Sequence, residues 1–510
     1  MKVAQRIIAA FFCMAFVACT EEAQNNPIDT TVDFKHVNTI TVRSGSLDDE
    51  SSEGASEITV YDADSKNLFV VNVEVNEISI YNITDVNNPV KQTSINLDAY
   101  GAPNSVAVNN GQFAVAVEAA VKQDAGQILL YNIADFSLAK SFTVGALPDM
   151  VTFTKDGKYI LSANEGEPNK AYDVDPKGTV SIIDVASSEV TTLDFTAFNS
   201  QEAALEAKGF RVFGLNADLA TDVEPEYIAV SEDSKTAWVS LQENNGIAKV
   251  NLVSKAIEAI YPLGFKDYSL EGNSIDASDK DDVTALKTWN VKGIYQPDAI
   301  VAVNINGTEY VISANEGDAR DYDGFSEEVR VDDLTLDTSI YAANVQEKDN
   351  LGRLKTTTSL YAPLTDDNSA AVKQIYSYGA RSFSIWSATG DLVYDSGNDI
   401  AAQTLASTPD VFNGGDKRSD DKGAEPESVA VMNLGNERYI LFVGLERNNQ
   451  VLVYDITNPT APTFLNILSH GGDVGPEGLL VIPAAESPNG KDLLVVSNEI
   501  SGTVSIYENN

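Results

Sequence analysis

The chain has 510 residues, with 34 Lys+Arg against 76 Asp+Glu and a formal net charge of −42. Hydrophobic residues at 43% make this a folding composition, while so negative a surface repels phosphate, excludes nucleic acid as a partner and favours cations. Two His and two Cys in the whole chain exclude His-rich zinc sites, thiolate clusters and disulfide scaffolds.

In chain order, residues 1–19 read as an export signal. Lys2 and Arg6 supply the positive end, and Ile7 to Val17 form an apolar stretch too short to span a bilayer. Phe16-Val17-Ala18-Cys19 resembles a bacterial lipobox, which predicts a lipid on Cys19. Thr20 follows where an inner-membrane retention signal would place Asp. By resemblance to Gram-negative lipoproteins, that points to the outer membrane or cell surface. Residues 20–36 are polar and aperiodic and read as a tether, and residues 37–510 as the folded body. No later segment is apolar enough to span a membrane, so membrane contact is expected through the lipid alone.

The body is built from a repeat. Pro148 to Phe153, Asp156-Gly157, Tyr159 to Ala163 and Thr179 to Val185 read as strand, hairpin, strand, turn, strand. A Glu closes the second strand of each unit, at Glu74, Glu118, Glu165, Glu243, Glu316, Glu446 and Glu499. An acid or amide opens the first strand, at Glu57, Asn104, Asp149, Glu226, Asp298, Glu427 and Glu477, usually after Pro. These units predict an all-β fold, a seven-bladed β-propeller. The last unit runs out at Tyr507, and Val37 to Arg43 is an orphan strand that would complete it and close the ring. Wide gaps between successive Glu markers predict insertions at about 196–224, 264–296 and 317–378, the last between the second and third strands of blade five.

In a propeller, the start of a first strand and the end of the second lie on one face. The marker positions therefore ring one mouth of the channel, where like charges repel unless cations sit among them. Expected metal ligands are Glu165, Asp173, Asp175, Glu226, Asp298, Glu316, Asp318, Asp321, Asp323, Glu427 and Glu477. Asp321-Tyr322-Asp323-Gly324 resembles a fragment of a calcium loop. Oxygen ligands favour calcium, or another divalent metal such as magnesium, over zinc or copper. No nucleophile elbow, phosphate-binding P-loop or dinucleotide fingerprint is present. Arg320, Arg381, Arg418 and Lys422 are the basic residues placed where a phosphate could meet bound metal.

Asn164-Glu165-Gly166-Glu167-Pro168, Tyr172 to Gly178, Asn315 to Tyr322 and Glu425-Pro426-Glu427-Ser428-Val429 together resemble the signatures of bacterial choice-of-anchor I proteins. That family is similar to animal mesenchyme-specific cell-surface glycoproteins, and the resemblance implies an extracellular calcium-rich setting. Members are often labelled alkaline phosphatase, and Gly475-Pro476-Glu477-Gly478-Leu479 resembles a phrase of phytase-like propellers. Two functions follow as expectations. One is a surface binding or scaffold module that holds calcium and meets a protein, glycan or phosphoester. The alternative is a calcium-dependent phosphomonoesterase in which Arg320 and Arg381 steady the phosphate.

Overall fold

The computed structural model describes residues 31–43, 54–360 and 371–510. The expected export signal and Cys19 lie outside the described residues. Second strands of the repeat explain the core. Along Asn67–Asn72, Leu68 and Val70 pack into one hydrophobic cluster with Ile482 and Val495. Phe69 and Val71 point the other way, to Val106 and Phe113. A strand buried on both faces has an apolar middle, because successive side chains alternate between two neighbouring sheets. Full burial of each such side chain is worth about 1.5–3 kcal/mol. Outer strands such as Val90–Asn96 carry mostly polar residues and face solvent.

Among the described residues these strands form seven four-stranded sheets whose strands pair antiparallel. In six the strands run in chain order, as in Pro148–Phe153, Tyr159–Asn164, Thr179–Asp184 and Val190–Asp194. First strands neighbour one another around a closed ring and line a central channel of about 700 Å³. This is the architecture of a β-propeller.

The remaining four-stranded sheet joins the two ends of the chain. Phe34–Thr41 pairs antiparallel with Thr503–Asn509, outside Leu493–Asn498 and Pro476–Ile482. The strand begins at Phe34, three residues inside the expected tether. The reason is packing: Phe34 is 2% exposed and meets Phe442 edge-on at 5.1 Å.

Two of the expected insertions share a structure that the spacing does not reveal. Phe265–Asp267 and Val291–Ile294 from one join Glu328–Arg330, Lys355–Thr357 and Ile375–Ser377 from the other in a five-stranded sheet. Val291–Ile294 and Ile375–Ser377 pair in parallel. This sheet has its own core of Tyr268, Val331, Leu351, Leu354 and Ile375. Residues 196–222 form short helical turns, including Glu202–Glu206 and Leu219–Asp222. A further connection, with the helix Asp399–Ser407, carries Arg418, Lys422 and Glu425 toward the mouth. Among the described residues no helix is long and apolar enough to cross a membrane.

Candidate metal centre at the channel mouth

Local backbone chemistry brings the acids to one rim. In four sheets the register slips directly after the opening Pro, between Pro103 and Ser105, Pro148 and Met150, Pro426 and Val429, and Pro476 and Gly478. Pro cannot donate to the ladder, and the next residue becomes the extra residue of a bulge, which re-aims its side chain. Asn104, Asp149, Glu427 and Glu477 occupy those bulges. At the end of the second strand, a buried Asn locks the motif. Asn315 Nδ2 donates to Ser382 Oγ at 3.2 Å and Ser384 Oγ at 2.8 Å, and Asn164 Nδ2 donates to Ser181 Oγ at 3.0 Å. Gly317 follows Glu316 at φ 96°, and a Cβ there would lie 2.2 Å from the Gly379 nitrogen. Only glycine fits that crossing.

The result is an acidic cavity of about 350 Å³, lined by Asp149, Glu165, Glu226, Glu243, Asp298, Glu316, Asp318, Glu427, Glu446, Glu477 and Glu499, with Gln242, Lys422 and Arg447. Three sets of carboxylates place an oxygen from each residue within 4.8 Å of one another: Glu165–Glu226–Glu243, Asp298–Glu316–Glu427 and Glu316–Glu425–Glu446. Calcium binds oxygen at about 2.3–2.6 Å, so ligands on one ion stand up to about 5 Å apart. The spacing of each set fits one hard cation.

Charge partners separate the three sets. Glu425 accepts from Arg418 Nε at 2.6 Å and Arg447 Nε at 3.2 Å, and Glu446 pairs with Arg447 at 2.7 Å. Lys422 Nζ lies 2.6 Å from Glu316 and 3.7 Å from Glu425, so the third set already carries protein cations. Glu316 has both oxygens engaged, since Gln242 Nε2 donates to the other at 3.0 Å. The first set differs. Glu226 is 9% exposed and Glu243 7%, and the Oε2 atoms of both are buried with no hydrogen-bond donor. The two carboxyls lie against each other, so one shared proton is what the protein itself can offer them. Orphaned buried carboxylate oxygens are costly, and a divalent cation of oxygen preference satisfies them.

Protonation equilibria report the same crowding. Burial, then the charges of Glu243 and Glu165, push the Glu226 carboxyl well above the usual range. Burial followed by Asp149 and Glu167 does the same to Glu165. Asp298, Glu427 and Glu477 are also pushed well up, first by burial and then by neighbouring acids. Burial lifts Glu316 to about 7 against the pull of Lys422, and Glu446 to about 8 against that of Arg447.

Other expected ligands sit elsewhere. Asp318 reaches the cavity rim, 3.6 Å from Lys422. Asp173 is exposed and accepts from Asn169 Nδ2 at 2.8 Å. Asp175 is half-buried, lifted to about 6 by burial against the pull of Arg320. Asp321 and Asp323 are exposed on a small hairpin, Asp321–Tyr322 with Phe325–Ser326. Gly324 serves close packing there: its Cβ would lie 2.0 Å from the Ala171 carbonyl oxygen.

Both arginines expected near phosphate are committed to the protein. Arg320 is 1% exposed, pairs with Asp222 at 2.6 Å and Glu224 at 3.0 Å, and its guanidinium lies 4.5 Å from the centre of the Phe213 ring. Arg381 donates to the carbonyls of Asp276 at 2.8 Å, Ser419 at 3.1 Å and Asp421 at 2.6 Å. The cations that line the cavity are Lys422 and Arg447. Sequence reasoning passed over Arg447 and Glu425. A signal existed in the repeated Glu224-Pro225-Glu226 and Glu425-Pro426-Glu427: in both, the first Glu binds arginine and the second faces the mouth.

Comparison with known proteins decides the family. The model of the choice-of-anchor I domain matches residues 57–459. The chain belongs to that family. Its choice-of-anchor I domain covers five of the seven sheets, three of the four strands of a sixth, and every acid of the three sets. Gigasin-3a of Magallana gigas is 34% identical over 163 residues, 26% of this chain and 57% of that protein. The chain thus spans little more than half the length of that curated relative. Among solved structures, hydrazine synthase of Kuenenia stuttgartiensis is similar at 12% identity and TM-score 0.48, over 91% of this chain and 98% of that one. The Cps50 (Swd1) β-propeller domain of Myceliophteria thermophila is similar at 7% identity and TM-score 0.48, over 94% and 100%.

Proposed function

We propose that this choice-of-anchor I domain is a seven-bladed propeller, closed by its N-terminal strand, that holds calcium at the acidic mouth. It is exported, is lipid-anchored through Cys19 at the outer membrane or cell surface, and acts there as a binding or scaffold module. The observation that carries the reading is the pair of orphaned oxygens on Glu226 and Glu243 beside Glu165. Those three residues would hold the ion. Asp298, Glu427 and Glu477 are further carboxyls of the same cavity, and Asp318 lies at its edge. Asp173, Asp175, Asp321 and Asp323 stand as outer acids of the same insertions. Bound calcium would supply positive charge that lets the buried carboxyls ionise together.

A second reading is favoured by Lys422 and Arg447, which face the same cavity. Together with calcium they would neutralise a phosphate group, as a calcium-dependent phosphomonoesterase requires. In that reading Arg320 and Arg381 brace the walls of the site through their ion pairs and carbonyl contacts.

The test uses chelator-stripped protein, with thermal melting and hydrolysis of a generic phosphomonoester followed with and without calcium. Calcium at 100 times its Kd should stabilise the native state by about 2.7 kcal/mol. Stabilisation without turnover supports the binding module. Turnover that Lys422→Met abolishes supports the phosphatase, and neither effect removes both.

A further inference from the structure

The chain contains two histidines, and they meet. His36 lies on the N-terminal strand, opposite Tyr507 on the C-terminal strand. His470 lies in the connection between the outer strand of the sixth sheet, Thr463–Leu468, and the first strand of the last, Pro476–Ile482. Their rings stack with centroids 3.7 Å apart and planes within 9°. The stack therefore bridges the strand that closes the ring to the joint between two sheets.

We propose that His36 and His470 form an acid-sensitive clasp that holds the N-terminal strand in place when neutral and loosens it when both rings are protonated. The groups facing the pair come from three elements. Thr39 Oγ1, on the same strand as His36, lies 2.8 Å from His36 Nε2. The Tyr507 ring stands edge-on to His36 at 5.6 Å. Asp473 Oδ2 lies 3.5 Å from His470 Nδ1 and accepts from Ser505 Oγ at 2.5 Å, while its Oδ1 accepts from Thr503 Oγ1 at 3.0 Å. Lys35, the neighbouring charge on the strand, pairs with Asp33 at 2.7 Å and points to the opposite face.

One carboxylate is thus available to two imidazoles. A first proton on His470 gains Asp473 as a partner. A second, on His36, sets two cations face to face at stacking distance with that single carboxylate between them. The strand can relieve this repulsion by peeling away, because it is an outer strand paired along one edge. Burial and the His470 charge both hold the His36 imidazole below its usual value, with Asp473 opposing them.

The experiment uses the full chain with 13C-labelled histidine, which gives two imidazole signals to follow by NMR from pH 8 to 5. His36→Phe and His470→Phe assign them and keep a flat ring in the stack. His470→Asn replaces the second should it fail to fold. The His36 midpoint is expected to rise by about one pH unit when the charge at 470 is removed. Amide exchange in residues 34–41, corrected for its intrinsic pH dependence, is expected to quicken at least about tenfold between pH 7.5 and 5.5 in the wild type. It should stay level in the variants. A His36 midpoint unmoved by the change at 470 would overturn the clasp. So would wild-type exchange that does not change with pH, or that quickens equally in the variants.

Discussion

Replacing Glu243 by Gln should move the protein in opposite directions with and without calcium. Carboxylate oxygens of Glu165, Glu226 and Glu243 lie within 4.8 Å of one another, and no donor reaches the Oε2 atoms of Glu226 and Glu243. At an effective dielectric of about 20, two unit charges at that separation repel by about 3 kcal/mol. Shared protons already relieve part of this, so Glu243→Gln should stabilise the metal-free protein by about 1–3 kcal/mol at pH 8. For a chain of this size each kcal/mol is worth about 1 °C, so the metal-free Tm should rise by about 1–3 °C. The same change deletes a charged ligand, and calcium affinity should fall about 10- to 100-fold. Melting curves in chelator and in a calcium series read both effects from one sample set. A variant that melts lower in chelator and keeps the full calcium shift would refute the reasoning, because Glu243 would then be a structural acid with no share in an ion site.

Three other outcomes follow. Asp149, Glu316 and Glu446 are lifted by burial to about 6, 7 and 8. The metal-free folded state therefore binds more protons than the unfolded one between about pH 4 and 8. The stability these groups contribute is full below about pH 4 and is lost as pH rises through that window, while saturating calcium flattens the dependence; Tm against pH in both conditions checks it. Because calcium must displace the protons that Glu165, Glu226 and Glu243 hold, calorimetry at pH 7 in buffers of different ionisation enthalpy should show net proton release on binding. Arg320→Met strips the partner from buried Asp222 and Glu224, and a loss of about 3–5 kcal/mol is expected in chelator as well as in calcium. An equal Tm for wild type and variant would contradict that role.

The repeat was legible because a strand buried on both faces is mostly apolar, so runs such as Leu68 to Val71 and Leu493 to Val496 stand out in the sequence. The opening Pro and acid were legible for a related reason, since both belong to one bulge repeated around the ring. What escaped was contact between distant segments. The parallel pairing of Val291–Ile294 with Ile375–Ser377 has no signature in either short strand. Arg320 read as a cation placed where a phosphate could meet metal, and which acids would pair with it depends on the course of two separate insertions. Alternating acids at Asp321 and Asp323 suggested one ion, yet the strand ends at Tyr322, Asp323 falls in the turn, and both acids are exposed.

Calcium itself can be located by its anomalous scattering in crystals of the stripped protein soaked in calcium chloride. The account predicts a peak bounded by Glu165, Glu226 and Glu243 that disappears in Glu243→Gln. Absence of a peak there at saturating calcium, or density confined to Glu425 and Glu446, would contradict it.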